Sequence, residues 1–180
     1  ATIVLTEHPC VLTMGRHAAS ENVLSTQSDL AAAGVAIHAT DRGGEVTAHE
    51  PGQIVCYPII PMRSFHLGPR SLVQLLERAV IQVLGEFGIK GEVDCARPGI
   101  WVRGDKVCAL GIRIKDRVSM HGIALNVDNT LDTFRHIVPC GIQERGLTSL
   151  KRLGVDAPRD QVKSMLTDAI RRELESAAAG

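Results

Sequence analysis

Between Ser71 and Gly88 the apolar residues Leu72, Leu75, Leu76, Ala79, Val80, Val83, Leu84 and Phe87 recur at the spacing of one helix face. A stripe this continuous has to be buried against a second layer. The pattern predicts a helix with Ser71 as N-cap and Gly88 as the C′ residue. The second layer is written directly after it, in the short β-type runs "GEVDCA", "GIWVRG", "KVCALGIRIK" and "VSMHGIALNV". Turn signals at Pro98-Gly99, Gly104-Asp105 and Asp116-Arg117 separate these runs and predict an antiparallel meander.

Upstream, "ATIVLTEHP" and "CVLTMGR" read as two strands broken at Pro9, and "GVAIHAT" as a third after a short Ala-rich helix that ends near Gly34. "GQIVCYPII" is a further strand, ended by Pro58 and Pro61. From Pro158 to about Ala178, Val162, Met165, Leu166, Ala169, Ile170 and Leu174 mark a closing helix. The class is α/β in the broad, α+β sense: a mixed, largely antiparallel sheet flanked by helices, in one domain spanning residues 1–180. The chain opens in mid-strand without a methionine, so a segment upstream of residue 1 is expected to be missing.

Twenty basic and twenty acidic residues leave a formal net charge of +0, and aromatics make up 3%. Neither a basic face nor a set of stacking rings is available, so nucleic acid is not an expected partner. No apolar run approaches a membrane span, and no membrane partner is expected. The five cysteines are odd in number and show no C-x-x-C spacing, which predicts free thiols in a reducing cytoplasm.

Cys56, Cys95 and Cys108 sit in or at the end of β-type runs and read as packing residues, while Cys10 falls in a turn. Cys140 stands apart, between Pro139 and Gly141 in "FRHIVPCGI", where an irregular backbone can present sulfur to a cleft. A thiol near pKa 8.5 needs a cation or a base to become a nucleophile. Lys106, His49, His121 and His136 are the candidate activators. His8, His17, His38, His66 and His136 have no telling context and read as surface or satisfied polar residues. No H-x-x-x-H pair or tight cluster suggests a metal, and no cofactor is expected. The stretch "DRGGEVTAHEPGQ", Asp41 to Gln53, matches no phosphate-binding motif, yet it concentrates permissive backbone and polar side chains as a binding loop does.

Together "EHPCVLTMGR", "DRGGEVTAHEPGQIVCYPI", "KVCALGIRI", "MHGIALNV" and "IVPCGI…GLTSL" resemble, in order, the motifs of the lipoate-biosynthetic octanoyltransferases. The resemblance covers most of residues 7 to 150 and implies a biotin/lipoate protein ligase-like catalytic domain. It implies transfer of an octanoyl group from acyl carrier protein to a lysine of lipoyl domains, those of 2-oxoacid dehydrogenases and the glycine cleavage H protein, through a thioester on Cys140. Lys106 takes the place of the family's activating lysine. The acyl-binding segments fall on Arg42, Gly43, Gly44, Glu45, Val46, Thr47, Ala48 and His49, on Ala109, Leu110 and Gly111, and on Gly122, Ile123 and Ala124. The glycine pair Gly43-Gly44 is expected to lie against the acyl chain or its carbonyl.

The chain departs from the family pattern at Ala48, at Cys10 of "EHPC" and at Cys108, positions that bear on chain length more than on reaction type. Related lipoate ligases activate free acid with ATP and carry a longer arginine-serine-glycine run. An ATP-dependent lipoate-protein ligase and a non-catalytic acyl-binding module are the rival readings. Arg16, Arg63, Arg70 and Arg145 are the candidates for meeting an acidic partner.

Overall fold

The computed structural model of the protein describes residues 1–94, 97–138 and 146–179. Along them run β1 (Thr2–Thr6), β2 (Val11–Met14), α1 (Gln27–Ala32), β3 (Ala36–Ala39), β4 (Val46–His49), β5 (Gln53–Ile59), α2 (Pro69–Glu86), β6 (Glu92–Asp94), β7 (Arg97–Val102), β8 (Asp105–Lys115), β9 (Val118–Asn126) and α3 (Arg159–Ala179). A six-stranded antiparallel sheet has the order β1-β5-β9-β8-β7-β6, and a three-stranded sheet the order β3-β2-β4. In the small sheet β2 pairs parallel with β3 and antiparallel with β4.

Side chains alternate across a strand, and the large sheet uses its two faces differently. One face carries Ile54, Cys56, Cys108, Ile123 and Leu125 into a core with Leu72, Leu75, Leu76 and Val80 of α2 and Leu166 and Ile170 of α3. The other face is lined by Val55, Ala109, Gly111, Gly122 and Ala124, small residues that leave room above the sheet. A second core, with Leu12, Leu30, Val35, Val46, Ala48, Phe134 and Ile137, packs the small sheet.

The meander from β6 to β9, the closing helix and the C′ residue Gly88, at φ +70, are as the sequence predicts. Four local expectations are corrected. The N-cap of α2 is Gly68, not Ser71: Pro69 occupies the first helical position, where its missing N–H costs nothing. Ser71 Oγ sits one turn inside and accepts from the Gly68 N–H at 2.8 Å. Pro58 lies within β5. Its carbonyl accepts from Ser119 Oγ, which itself accepts from the Ile60 N–H at 2.9 Å, so the absent N–H faces β9 beyond the last register pair, Cys56 with Ile123. Pro98-Gly99 belongs to β7 rather than to a turn, with Gly99 opposite Ala109. The second half of the expected loop is strand β4, paired along β2. The other two turns stand, with Arg103 and Gly104, and Asp116 and Arg117, all at positive φ.

Candidate active site

A cavity of about 320 Å³ lies between the small-residue face of the large sheet and the small sheet. Its floor is set by two register pairs, Ala109 with Ala124 and Gly111 with Gly122. Gly122 has no alternative, because a Cβ there would stand 2.1 Å from the Cys56 carbonyl oxygen. The opposite wall comes from the register pairs Val11 with His49 and Thr13 with Thr47.

Of the residues expected to bind the acyl group, Arg42, Gly44, Glu45, Val46, Thr47, His49, Ala109, Leu110, Gly111, Gly122, Ile123 and Ala124 line this cavity, as does Lys106. Gly43 and Ala48 stand outside the lining. Gly43 N–H donates to the Ile112 carbonyl at 3.2 Å, and a Cβ on it would lie 2.8 Å from that oxygen. Ala48 is fully buried in the second core. Gly43 therefore docks the loop onto β8, and Gly44, at φ +86, faces the cavity. Cys140 lies outside the described residues, as does Cys95.

Arg42 is buried and builds the loop from within. Its Nε donates to Thr13 Oγ1 at 3.1 Å, Nη1 to the Gly43 carbonyl at 2.9 Å, and Nη2 to the carbonyls of Thr13 and Glu45, each at 2.6 Å. Lys106 is 5% exposed at the start of β8. Its ammonium stands 4.7 Å from the Trp101 ring centroid, a cation–π contact that offsets part of the cost of burying charge. Its backbone N–H donates to the Gly146 carbonyl, and its carbonyl accepts from the Thr148 N–H. Gly99 leaves the space for the lysine stem: a Cβ there would meet Lys106 Cε at 3.0 Å.

The histidines depart from expectation. His8 and His38 line the cavity with His49 and His121. His8 Nε2 pairs with Tyr57 Oη at 2.7 Å, and burial pushes its pKa down. His49 is buried, and desolvation, opposed by its hydrogen bond to Gln53, pushes it down to about 4. His121, in the left-handed region at φ +57, meets Asp41 Oδ1 at 2.6 Å. Burial, with Arg42 and Arg113 nearby, lowers its pKa. Asp41 also pairs with Arg113. His136 bonds Ser25 Oγ at 2.7 Å and does not line the cavity.

Thr13 and Tyr57 also line the cavity. Period-two alternation sets Thr13 with Val11 and Tyr57 with Val55, but which face meets a cavity is decided by the packing of one sheet on the other. Cys56 and Cys108 are buried on the core side, where desolvation pushes the Cys56 thiol up to about 12 and the Cys108 thiol strongly upward. Among the described residues no group of three or more His, Cys, Asp or Glu is placed to hold a metal ion, and no helix is long and apolar enough to cross a membrane.

Residues 1–171 match the lipoyl protein ligase A/B catalytic domain. The chain belongs to that family. This lipoyl protein ligase A/B domain is 44% identical over 153 residues to an octanoyltransferase of Alkaliphilus metalliredigens, covering 84% of this chain and 70% of that one. To an octanoyltransferase of Bacteroides thetaiotaomicron it is 42% identical over 179 residues, covering 96% and 78%. A bi-partite lipoate protein ligase from Thermoplasma acidophilum superposes with a TM-score of 0.74 at 12% identity, covering 98% of this chain and 77% of that one. That likeness speaks to the fold, the ligase-like catalytic domain the motifs imply. The relatives bear out the expectation of an acyltransferase that moves octanoyl groups in lipoylation.

Proposed function

We propose that this domain transfers an octanoyl group from acyl carrier protein to a lysine of lipoyl domains through a thioester on Cys140, with Lys106 as its activating cation. The observation that carries the reading is the position of Lys106, a buried ammonium at the wall of an apolar cavity, beside the chain that leads back to Cys140. The described residues on either side of that cysteine are both anchored near the cavity. Val138 N–H donates to the carbonyl of Asn22, whose side chain bonds cavity-lining Glu45 at 3.1 Å, and Gly146 bonds Lys106.

The Cys140 thiolate attacks the thioester carbonyl of the octanoyl carrier, the carbon–sulfur bond to the carrier breaks, and the carrier sulfur leaves as a thiol after taking a proton from the Lys106 ammonium. In the second half the acceptor lysine amine attacks the Cys140 thioester, an amide forms, and the enzyme thiolate is released. The first exchange is nearly thermoneutral and the second runs downhill, so no ATP enters. The Lys106 ammonium favours the thiolate in the first half; left neutral, its amine takes the proton of the attacking lysine in the second and becomes again the ammonium beside the released thiolate. Burying the acyl tail over Ala109 and Ala124 contributes about 0.8 kcal/mol per methylene. We place the activity in the cytoplasm, with the whole chain acting as one acyltransferase domain on 2-oxoacid dehydrogenase and glycine cleavage H protein lipoyl domains.

Intact-mass measurement after mixing with octanoyl carrier protein tests this. Wild type should gain one octanoyl group that maps to Cys140. Cys140→Ala should gain none and lose transfer, and Lys106→Ala should acylate at least a hundredfold more slowly. An adduct on another cysteine, full activity in either variant, or transfer that needs free octanoate and ATP overturns the assignment.

A further inference from the structure

The cavity wall is continuous with a chain of buried amides that the transfer chemistry leaves unused. Gln53, at the start of β5, is 1% exposed and Asn126, at the end of β9, is 3% exposed; the two are register partners. Asn126 Nδ2 is 3.0 Å from the Thr148 carbonyl oxygen, which can only accept. Its Oδ1 is therefore the acceptor that faces Gln53 Nε2 at 2.9 Å and Asn129 Nδ2 at 3.2 Å. Asn129 Nδ2 is independently fixed as a donor by the Glu50 carboxylate at 3.0 Å. With its nitrogen committed to Asn126, Gln53 turns Oε1 to His49 Nδ1 at 2.7 Å. That ring nitrogen must carry the hydrogen, because a flipped Gln53 would set two oxygens against each other.

The other ring nitrogen, Nε2, lies on the Thr13 side, 3.5 Å from a hydroxyl that lines the cavity. At its far end the chain reaches Thr148, whose N–H donates to the Lys106 carbonyl. Asn126 also takes the Leu150 N–H on its own carbonyl. Two side chains thus join the acyl-cavity wall to the backbone beside Lys106, downstream of Cys140.

We propose that Gln53 and Asn126 are positioning residues for acyl transfer: they hold His49 with its proton on Nδ1 and its bare Nε2 toward the cavity, and clamp residues 146–148 beside Lys106. The inference rests on reading the cavity as the acyl site. Its consequence is a wall that stays neutral. An imidazolium at His49 would stand in an apolar slot shared with the Lys106 ammonium, near the Arg42 guanidinium and with the His8 ring centroid 5.5 Å away. Of the cavity's other ionisable groups, Glu45 is bonded to Asn22, and His121 to Asp41.

The full chain with 15N-labelled histidine provides the test. Wild-type His49 should show one neutral tautomer, protonated at Nδ1, from pH 8 to 5. Gln53→Met removes the acceptor and should mix the tautomers, with kcat/KM for octanoyl carrier protein falling at least tenfold. Gln53→Glu restores the acceptor and should keep the Nδ1 proton. Its carboxylate favours the imidazolium, so the acid limb of its kcat/KM profile should move up by at least one pH unit. Asn126→Asp exchanges the donor to Thr148 for an acceptor and should lower kcat at least fivefold with KM for the carrier unchanged. A wild-type His49 protonated at Nε2 overturns the proposal, as does a Gln53→Glu pH profile that coincides with wild type. The spectrum and the Gln53→Glu profile decide it even should Gln53→Met not fold. Wild type that fails to transfer octanoyl at all would instead sink the acyl-site reading.

Discussion

His49 shows how a single buried ring ties the cavity to stability. In the unfolded chain it titrates near 6.5, and in the fold desolvation holds it at about 4. Its folded pKa is depressed, so below 6.5 the unfolded state takes a proton that the native state refuses, and stability falls as pH drops. The loss is absent above 6.5, grows from there to about 4 and then levels off, reaching about 3 kcal/mol. Half-buried His8, also lowered, adds in the same direction. Urea unfolding of wild type between pH 8 and 4 should show this decline, and His49→Asn should remove most of it. The thiols obey the same physics with the opposite sign. Cys56, pushed up to about 12, and Cys108, pushed further up on the core side, should resist iodoacetamide at pH 7.5 in the native protein by peptide mapping. Labelling of either would mean that the sheet face beneath the cavity opens.

Among the elements, β7 carries the sharpest local requirement. Gly99 sits at φ +144, and a Cβ on it would approach the Cys108 carbonyl oxygen to 2.8 Å and Lys106 Cε to 3.0 Å. Gly99→Ala should therefore cost about 1–3 kcal/mol in backbone strain and push the Lys106 stem aside. A fall in acylation rate larger than the fall in melting temperature explains is the expected signature, since Val102→Ala in the same strand should lower stability alone. Gly99 also shows where sequence stops being legible. The helix stripe from Leu72 to Leu84 and the β6 to β9 meander could be read because their periods of 3.6 and 2 follow from local geometry. Pro98-Gly99 looks like a turn because its local preference is a turn, and only pairing with β8, which sets Gly99 opposite Ala109, makes it a strand. Pro58 and Ser71 were misleading for related reasons, a side chain from Ser119 and a proline at the first helical position overriding the nearest-neighbour signal. His8, His38, Thr13 and Tyr57 enter the cavity through a small sheet docked on a large one, with a parallel β2–β3 pair, and no local spacing encodes that contact. Lys106 and most of the loop from Arg42 to His49 were legible through their motifs, which also carried the expectation for Cys140.

Across the whole molecule the large sheet separates two tasks by face, and the separation is testable. Beneath it, Leu75, Leu76, Leu166 and Ile170, none of which lines the cavity, fill the core. Above it, Ala109 and Ala124 meet as register partners on the cavity floor, next to a smaller void lined by Lys106, Gln53 and Asn126. Leu166→Ala on the core side removes a fully buried side chain and should cost 2–5 kcal/mol. Its effect should appear in the melting temperature, while kcat and acyl preference below the transition stay as in wild type. Ala124→Val adds two methyl groups where the fold has reserved space, so stability should change by less than about 1 kcal/mol. The added bulk should instead shorten the slot, lowering kcat/KM for octanoyl carrier protein at least tenfold and for butanoyl carrier protein less than threefold. Both variants are compared by thermal unfolding and by transfer with the two acyl chains. Equal loss for the short and the long chain in Ala124→Val would show that the small-residue face does not measure the acyl group. The space above the sheet would then need another occupant.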